Sequence, residues 1–233
     1  GNFNAPLPDI RHNDEIRLLR DSFSNMQQSL SRYIDELQTT TAQKSLIESE
    51  LTIARSIQMA MLPKLDNAQP PTLDIYASLT PAKAVGGDLY DFFVRDEKLF
   101  FCIGDVSGKG VPAALIMAMA CGAFRLLAES ESDPLRIVSR MNETMSRDND
   151  LSLFVTFFVG VLDLATGHLC YCNAGHKAPY VLNSNIKHQT SLLPIDSNLP
   201  VGAMSDWVFT KQETVLAPGT TLFLYTDGLN EAE

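Results

Sequence analysis

Three aspartates in this chain stand beside glycines at the edges of apolar segments: Asp88 after Gly86-Gly87, Asp105 after Gly104, and Asp227 before Gly228. The segment before Asp105 includes Leu99-Phe100-Phe101-Cys102-Ile103, and that before Asp227 includes Leu222-Phe223-Leu224-Tyr225. Both read as buried strands, so the spacing predicts carboxylates held on rigid supports at strand ends. An adjacent glycine lets backbone and ion approach closely. Carboxylates that converge in a buried place repel one another and require cations. Oxygen-only ligands suit Mg²⁺ or Mn²⁺ rather than zinc. Two such ions lower the pKa of a water between them and clamp a phosphoryl group for in-line attack. Asp-Gly pairs are also common turn formers, and each aspartate taken singly has that explanation; three together favour the metal.

Other chemistries fit less well. Gly104-Asp105-Val106-Ser107-Gly108-Lys109-Gly110 invites comparison with a phosphate-binding loop. That loop needs four residues before Gly-Lys and then a hydroxyl residue; here three intervene and Gly110 follows the lysine. Its free N–H groups at a helix start still suit a phosphate. Asn173-Ala174-Gly175-His176 reads as a turn between strands, with His176 a structural hydrogen-bonder. No G-x-S-x-G nucleophile elbow is present. Cys170 and Cys172 share one strand face, and no second Cys/His pair lies at zinc-finger spacing. With Cys102 and Cys121 they read as reduced, structural thiols of a cytosolic protein. Acidic residues outnumber basic ones 28 to 18, a formal charge of -10, which disfavours a general nucleic-acid binder. Hydrophobic residues make up 45% and charged residues 20% of the 233 positions, which excludes a disordered chain. No apolar run approaches the roughly 20 residues that span a bilayer.

The elements that must position these residues change character at Pro63. Before it, Ile16, Leu19, Phe23, Met26, Leu30, Tyr33 and Leu37, then Ile47, Leu51, Ala54 and Met61, step by threes and fours. The pattern predicts one helix, unbroken by proline or glycine between Arg11 and Leu62, capped by Asn13 or Asp14 and ended by Pro63. Its heptad seam, with Thr40 and Lys44 as polar interruptions, predicts a dimeric coiled coil. A fold-back with a break at Thr39-Thr40-Thr41 is the alternative. After Pro63, strands are expected at 73–79, 89–94, 99–103, 154–163, 168–173, 178–182, 208–215 and 221–226. Helices are expected at 113–128 and from Asp133-Pro134 to Met145. Short connections favour antiparallel sheets with helices packed outside, an α+β layered domain.

Taken in order, four motifs resemble those of the bacterial PPM-type serine phosphatases of the SpoIIE-like group, which includes sigma-factor regulators. They are Pro81-Ala82-Lys83-Ala84-Val85-Gly86-Gly87-Asp88-Leu89-Tyr90-Asp91, Gly104 to Gly110, Asn173-Ala174-Gly175-His176 and Tyr225-Thr226-Asp227-Gly228. Residues 50–63 also look like the helix before that family's catalytic domain, and Asp14-Glu15-Ile16 with Leu19, Phe23 and Met26 like the second half of a HAMP module. The resemblance implies residues 1–45 as HAMP end and stalk, 46–63 as a switch helix, and 64–233 as the phosphatase domain, an αββα sandwich holding two Mn²⁺ or Mg²⁺ ions. Asp88, Asp105 and Asp227 would bind the metals with the Val106 carbonyl assisting, and Asp91 would stand behind them. Metal-bound hydroxide would attack phosphoserine or phosphothreonine of a STAS-domain anti-sigma-factor antagonist directly. The same resemblance implies a homodimer on the cytoplasmic side of the inner membrane, anchored through upstream segments. A further metal aspartate would lie beyond Glu233, so weak activity is expected of the chain as it stands. A catalytically silent docking module is the alternative.

Overall fold

The computed structural model describes residues 3, 5–10, 15–64, 70, 72–81, 83–147, 149–183 and 189–229. The chain divides into two units, Gly1–Ile53 and Ala54–Glu233. Helix α1 (Glu15–Met61) begins in the first and ends in the second. Its 47 residues extend about 70 Å at 1.5 Å per residue. The three threonines at 39–41 do not break it; the Thr39 hydroxyl donates back to the Asp35 carbonyl at 2.9 Å. The expected caps Asn13 and Asp14 lie outside the described residues. Ile16, Leu19, Phe23, Met26, Leu30, Tyr33 and Leu37 stay 38–67% exposed, so the apolar stripe of the first unit is unburied.

In the second unit, β1 (Leu89–Arg95) and β2 (Lys98–Val106) form a hairpin. Asp96 and Glu97 turn it, both in the left-handed region (φ 50 and 58), as a two-residue loop between twisted strands requires. Helix α2 (Val111–Ala128) starts after Gly110, with Pro112 in its first turn. Helix α3 (Pro134–Ser146) is capped by Asp133, whose carboxylate accepts the Leu135 N–H at 3.1 Å. Strands β3 (Val155–Asp163), β4 (His168–Ala174), β5 (Tyr180–Asn183), β6 (Gln189–Leu192), β7 (Gln212–Val215) and β8 (Thr220–Phe223) follow. They form a five-stranded antiparallel sheet, β1-β2-β3-β4-β7, and a three-stranded one, β6-β5-β8.

Strand pleating separates two cores. On one face of the larger sheet, Phe100 and Cys102 of β2, Phe157 and Val159 of β3, and Cys172 of β4 pack with Met117 and Phe124 of α2 and Ile137 and Met141 of α3. On the other face, Phe101, Ile103, Phe158, Leu169 and Tyr171 meet Val181 and Leu222 of the smaller sheet. The fold is thus α+β, with helices on a sheet that packs on a second sheet, as expected of an αββα sandwich. Among the described residues no helix packs on β5, β6 or β8.

Several expectations need correction. Residues 73–79 alternate apolar and polar side chains but belong to no strand among the described residues, and Tyr76 is 85% exposed. The strand expected at 208–215 is confined to β7, and β8 ends at Phe223, before Tyr225 and Thr226. Polar, short β6 was not anticipated. Helix α2 does reach membrane-crossing length and apolarity, with mean hydropathy 1.9 over 18 residues, but it buries Ala113, Met117, Ala120, Cys121, Phe124, Leu127 and Ala128 against the core.

Candidate metal centre

The same pleat that sends Phe100 and Cys102 toward the helices sends Asp105 toward the inter-sheet side, with Phe101 and Ile103. Asp105 therefore lies within β2, opposite Thr156 of β3, rather than past the end of the strand. Leu89 pairs with Gly104, and continuing that register brings Asp88 beside Asp105 at the open end of the hairpin. Asp227 arrives from the far side, at the head of a short 3₁₀ turn (Asp227–Leu229) after β8. Carboxylate oxygens of Asp88, Asp105 and Asp227 all lie within 4.8 Å of one another. The sequence-predicted trio is brought together, and no other such group occurs among the described residues.

Glycines make the close approach possible. A Cβ on Gly87 would stand 3.0 Å from both the Cβ and the carbonyl oxygen of Val106, so that carbonyl abuts the turn carrying Asp88. A Cβ on Gly104 would stand 2.5 Å from the Phe157 ring, so glycine lets β2 press on β3 immediately before Asp105.

The cluster is electrostatically frustrated. Burial first, then the Asp88 and Asp227 charges and a proton shared with Asp227, push Asp105 up to about 7; the Lys177 charge opposes them. Burial also raises Asp88, against a hydrogen bond from Thr226. Among the described residues, Asp88 Oδ1 is buried without a hydrogen-bond partner. An orphaned buried carboxylate oxygen inside a carboxylate trio, beside a backbone carbonyl, is the donor set of a hard divalent cation. The residues present fit Mn²⁺ or Mg²⁺.

Three further residues brace this geometry: His176 and Asn173, both in the turn motif noted in the sequence, and Gln58, in the segment 50–63. Burial pushes the His176 imidazole down to about 4, so it is neutral. Nε2 lies 3.2 Å from the Tyr225 carbonyl oxygen, which only accepts, so Nε2 carries the proton. Nδ1 then accepts from the Thr156 hydroxyl at 2.9 Å. The ring thus ties the residue opposite Asp105 to the residue two before Asp227. Asn173 holds His176 in place, accepting its backbone N–H at 3.1 Å and donating to its carbonyl at 2.9 Å. Gln58, buried in the last turns of α1, donates to the Gly86 carbonyl at 2.7 Å and accepts the Gly86 N–H at 3.2 Å. Its amide grips the loop just ahead of Asp88. The bonding partners of Gln58 and Asn173 are not readable from spacing, because they are main-chain groups.

Asp91 lies elsewhere. It is buried on the helical side and bound by Arg125 of α2 through Nε at 2.8 Å and through Nη2, and it does not join the trio. All four cysteines are free thiols, as expected.

The family model for Stage II sporulation protein E (SpoIIE) matches residues 95–233. The chain belongs to the SpoIIE family. Asp105, Val106 and Asp227 fall inside the matched span, and Asp88 lies just before it. Phosphoserine phosphatase RsbU of Bacillus subtilis is 31% identical over 196 residues, covering 84% of this chain and 58% of RsbU. Protein IcfG of Synechocystis is 30% identical, covering 94% of this chain and 38% of IcfG. The chain therefore spans less than two thirds of either relative. Among solved structures, the SiaA-PP2C domain of Pseudomonas aeruginosa aligns with TM-score 0.67 at 26% identity over 80% of this chain and 74% of that one. The RsbU and RsbW domains of a Mycobacterium tuberculosis protein align with TM-score 0.58 at 28% identity, over 65% and 42%. These similarities carry the PP2C-type fold expected from the motifs.

Proposed function

We propose that this SpoIIE-family chain is a divalent-metal-dependent protein serine/threonine phosphatase. The observation that carries the reading is the convergence within 4.8 Å of Asp88 and Asp105, at the open end of the β1–β2 hairpin, with Asp227 from the distant segment after β8, one buried oxygen being unpartnered among the described residues. Similarity to a phosphoserine phosphatase supports it. Asp88, Asp105, Asp227 and the Val106 carbonyl would hold Mn²⁺ or Mg²⁺. When bound, the ions supply charge neutralisation for a phosphoryl group and a water of lowered pKa. The chain's own part is to hold the partly buried carboxylates in register. Glycines 87 and 104 allow the approach, His176 links the two sides, and Thr226 orients Asp88.

The substrate in this reading is a phosphorylated STAS-type anti-sigma-factor antagonist, supported by similarity to RsbU and to a protein that joins RsbU and RsbW domains. Residues 1–45 form the end of a HAMP module and a stalk, 46–63 a switch helix, and 64–233 the phosphatase domain. The exposed stripe from Ile16 to Leu37 supports a homodimer through the stalk. The Gln58 grip on Gly86 supports control of the Asp88 loop by the switch helix. Placement on the cytoplasmic face of the inner membrane belongs to the same reading.

The test is Mn²⁺ titration by calorimetry together with hydrolysis of a phosphoserine peptide by the wild type and Asp105→Ala. The expected result is Mn²⁺ binding and hydrolysis, both lost in the variant. Hydrolysis retained in Asp105→Ala refutes the assignment, and absence of divalent binding favours a silent docking module.

A further inference from the structure

The connection from α3 to β3 carries two large apolar side chains that the fold does not use. Leu151 is 74% exposed and Phe154 37%, and neither joins the two cores among the described residues. Yet the connection is clamped. The Asn149 amide donates to the Leu153 carbonyl at 2.7 Å and to the Gly202 carbonyl at 3.2 Å, and its oxygen accepts the Leu153 N–H at 3.0 Å. The Ser152 N–H closes the turn on the Asn149 carbonyl at 3.0 Å. Ser152 itself stands in the left-handed region (φ 51), which a β-carbon disfavours. Leu151 is therefore presented at the tip of a pre-organised turn, the arrangement that lowers the ordering cost of binding.

The turn stands beside the metal centre. Val155 pairs with Val106, and Thr156 with Asp105. The pairing runs one step past the strand: the Ser107 N–H donates to the Phe154 carbonyl at 2.8 Å, and the Phe154 N–H to the Ser107 hydroxyl at 2.9 Å. Pleating puts Phe154, Thr156 and Phe158 on one side of the sheet, and Phe158 lies in the inter-sheet core. Phe154 thus shares the side on which Asp105 stands, about 7 Å further along the ladder at 3.4 Å per residue.

Together the two side chains leave on the order of 200 Å² of apolar surface open, about what one large side chain covers. That is far below the roughly 800 Å² that each partner gives a stable protein–protein interface, so a second folded copy is a poor match. A single side chain of a polypeptide passing the aspartates fits. The proposed reaction brings such a polypeptide: with its phosphorylated residue at the trio, a neighbour about two residues away reaches Phe154 at 3.3–3.6 Å per residue.

We propose that Leu151 and Phe154 form an apolar ledge that receives a hydrophobic side chain next to the phosphorylated serine or threonine. The proposal rests on the phosphatase reading above and adds what selects the substrate's sequence.

The experiment uses the full chain with Mn²⁺ and two short peptides carrying a non-hydrolysable phosphonate in place of phosphoserine, one flanked by leucines and one by serines. Calorimetry should show the leucine peptide binding about tenfold tighter, equivalent to about 1.4 kcal/mol. Leu151→Ser with Phe154→Ser should bring the two peptides within about twofold, and Leu151→Ser alone, at the more exposed position, should leave a preference of about threefold. Inorganic phosphate and Mn²⁺ should bind both variants as they bind the wild type. With the corresponding phosphoserine peptides, the variants should lose the preference in KM. A wild type that binds neither peptide or binds both equally overturns the proposal, as does an undiminished preference in both variants. So does a matching loss of phosphate or Mn²⁺ affinity, which would make the turn a brace of the metal centre. A lower oligomeric mass of Leu151→Ser in sedimentation also overturns it, since the ledge would then be a contact between copies. Leucine-selective binding without hydrolysis upholds the ledge and refutes the phosphatase reading. Hydrolysis without selectivity does the reverse.

Discussion

Replacing Asp105 by asparagine should stabilise the metal-free protein at neutral pH and abolish its response to divalent ions. Without metal, burial and the neighbouring carboxylates hold Asp105 at about 7 instead of 3.8. Between those values the folded chain keeps a proton that the unfolded chain has released. Stability from this group is therefore complete below about pH 4, falls as pH rises toward 7, and is level above. At 1.36 kcal/mol per decade the upper bound is ~4 kcal/mol. The carboxyl is only partly buried, and solvent screening reduces this to roughly 2 kcal/mol. For a unit of this size that corresponds to about 4–8 °C in Tm. His176 acts with opposite sign: held at about 4, it contributes stability above its ordinary 6.5 that is lost as pH falls toward 4. Both proteins contain His176, so it cancels from their difference. The assay is thermal melting of wild type and Asp105→Asn across pH 4.5–8, with and without Mn²⁺. The Tm difference should grow from near zero at acid pH to its full value above pH 7. Mn²⁺ at a hundredfold excess over Kd should stabilise the wild type by ~2.7 kcal/mol and the variant far less. A variant that melts below wild type at pH 7.5 without metal, or gains as much from Mn²⁺, refutes the reasoning.

His176→Leu leaves the Thr156 hydroxyl and Tyr225 carbonyl without their ring partner, a loss of about 2–3 kcal/mol at pH 7.5. Urea unfolding should show that gap narrowing at pH 5, where the wild type has lost part of the imidazole's contribution. Arg125→Met strands the Asp91 carboxylate, 3% exposed, and should cost about 3–5 kcal/mol in urea unfolding. Asp91→Leu combined with Arg125→Met should recover much of that loss. Gly87→Ala forces a methyl against the Cβ and carbonyl oxygen of Val106, each 3.0 Å away. Calorimetry should show Mn²⁺ binding weakened about tenfold or more while the melting temperature changes little.

What the sequence disclosed, and what it withheld, follows from where each interaction ends. The β1–β2 hairpin was legible because apolar runs flank a charged two-residue turn, and α3 because Asp133-Pro134 marks its start. The aspartate trio was legible because glycine neighbours and order along the chain are written in side chains. Residues 73–79 misled because alternation specifies an extended chain but not a partner strand. Short β6 escaped because an edge of polar residues carries no apolar signature. The Gln58 grip and the Asn173 brace end on backbone atoms of Gly86 and His176, and main-chain groups are the same at every position. The position of Asp105 within β2 rather than past its end was likewise set by pairing with Thr156.

Strand β2 has one further implication. Consecutive residues Gly104, Asp105 and Val106 serve a tight crossing, the ligand trio and the helical core in turn. A single-residue insertion or deletion between Lys98 and Gly104 would swap these duties, sending a carboxylate into the oily layer beneath α2 and a valine into the ion cradle. Such a mutant would lose its fold and its chemistry in the same step. Length changes in this lineage should therefore accumulate in the connections and spare this strand, since its numbering along the ladder is also the numbering of the reaction centre.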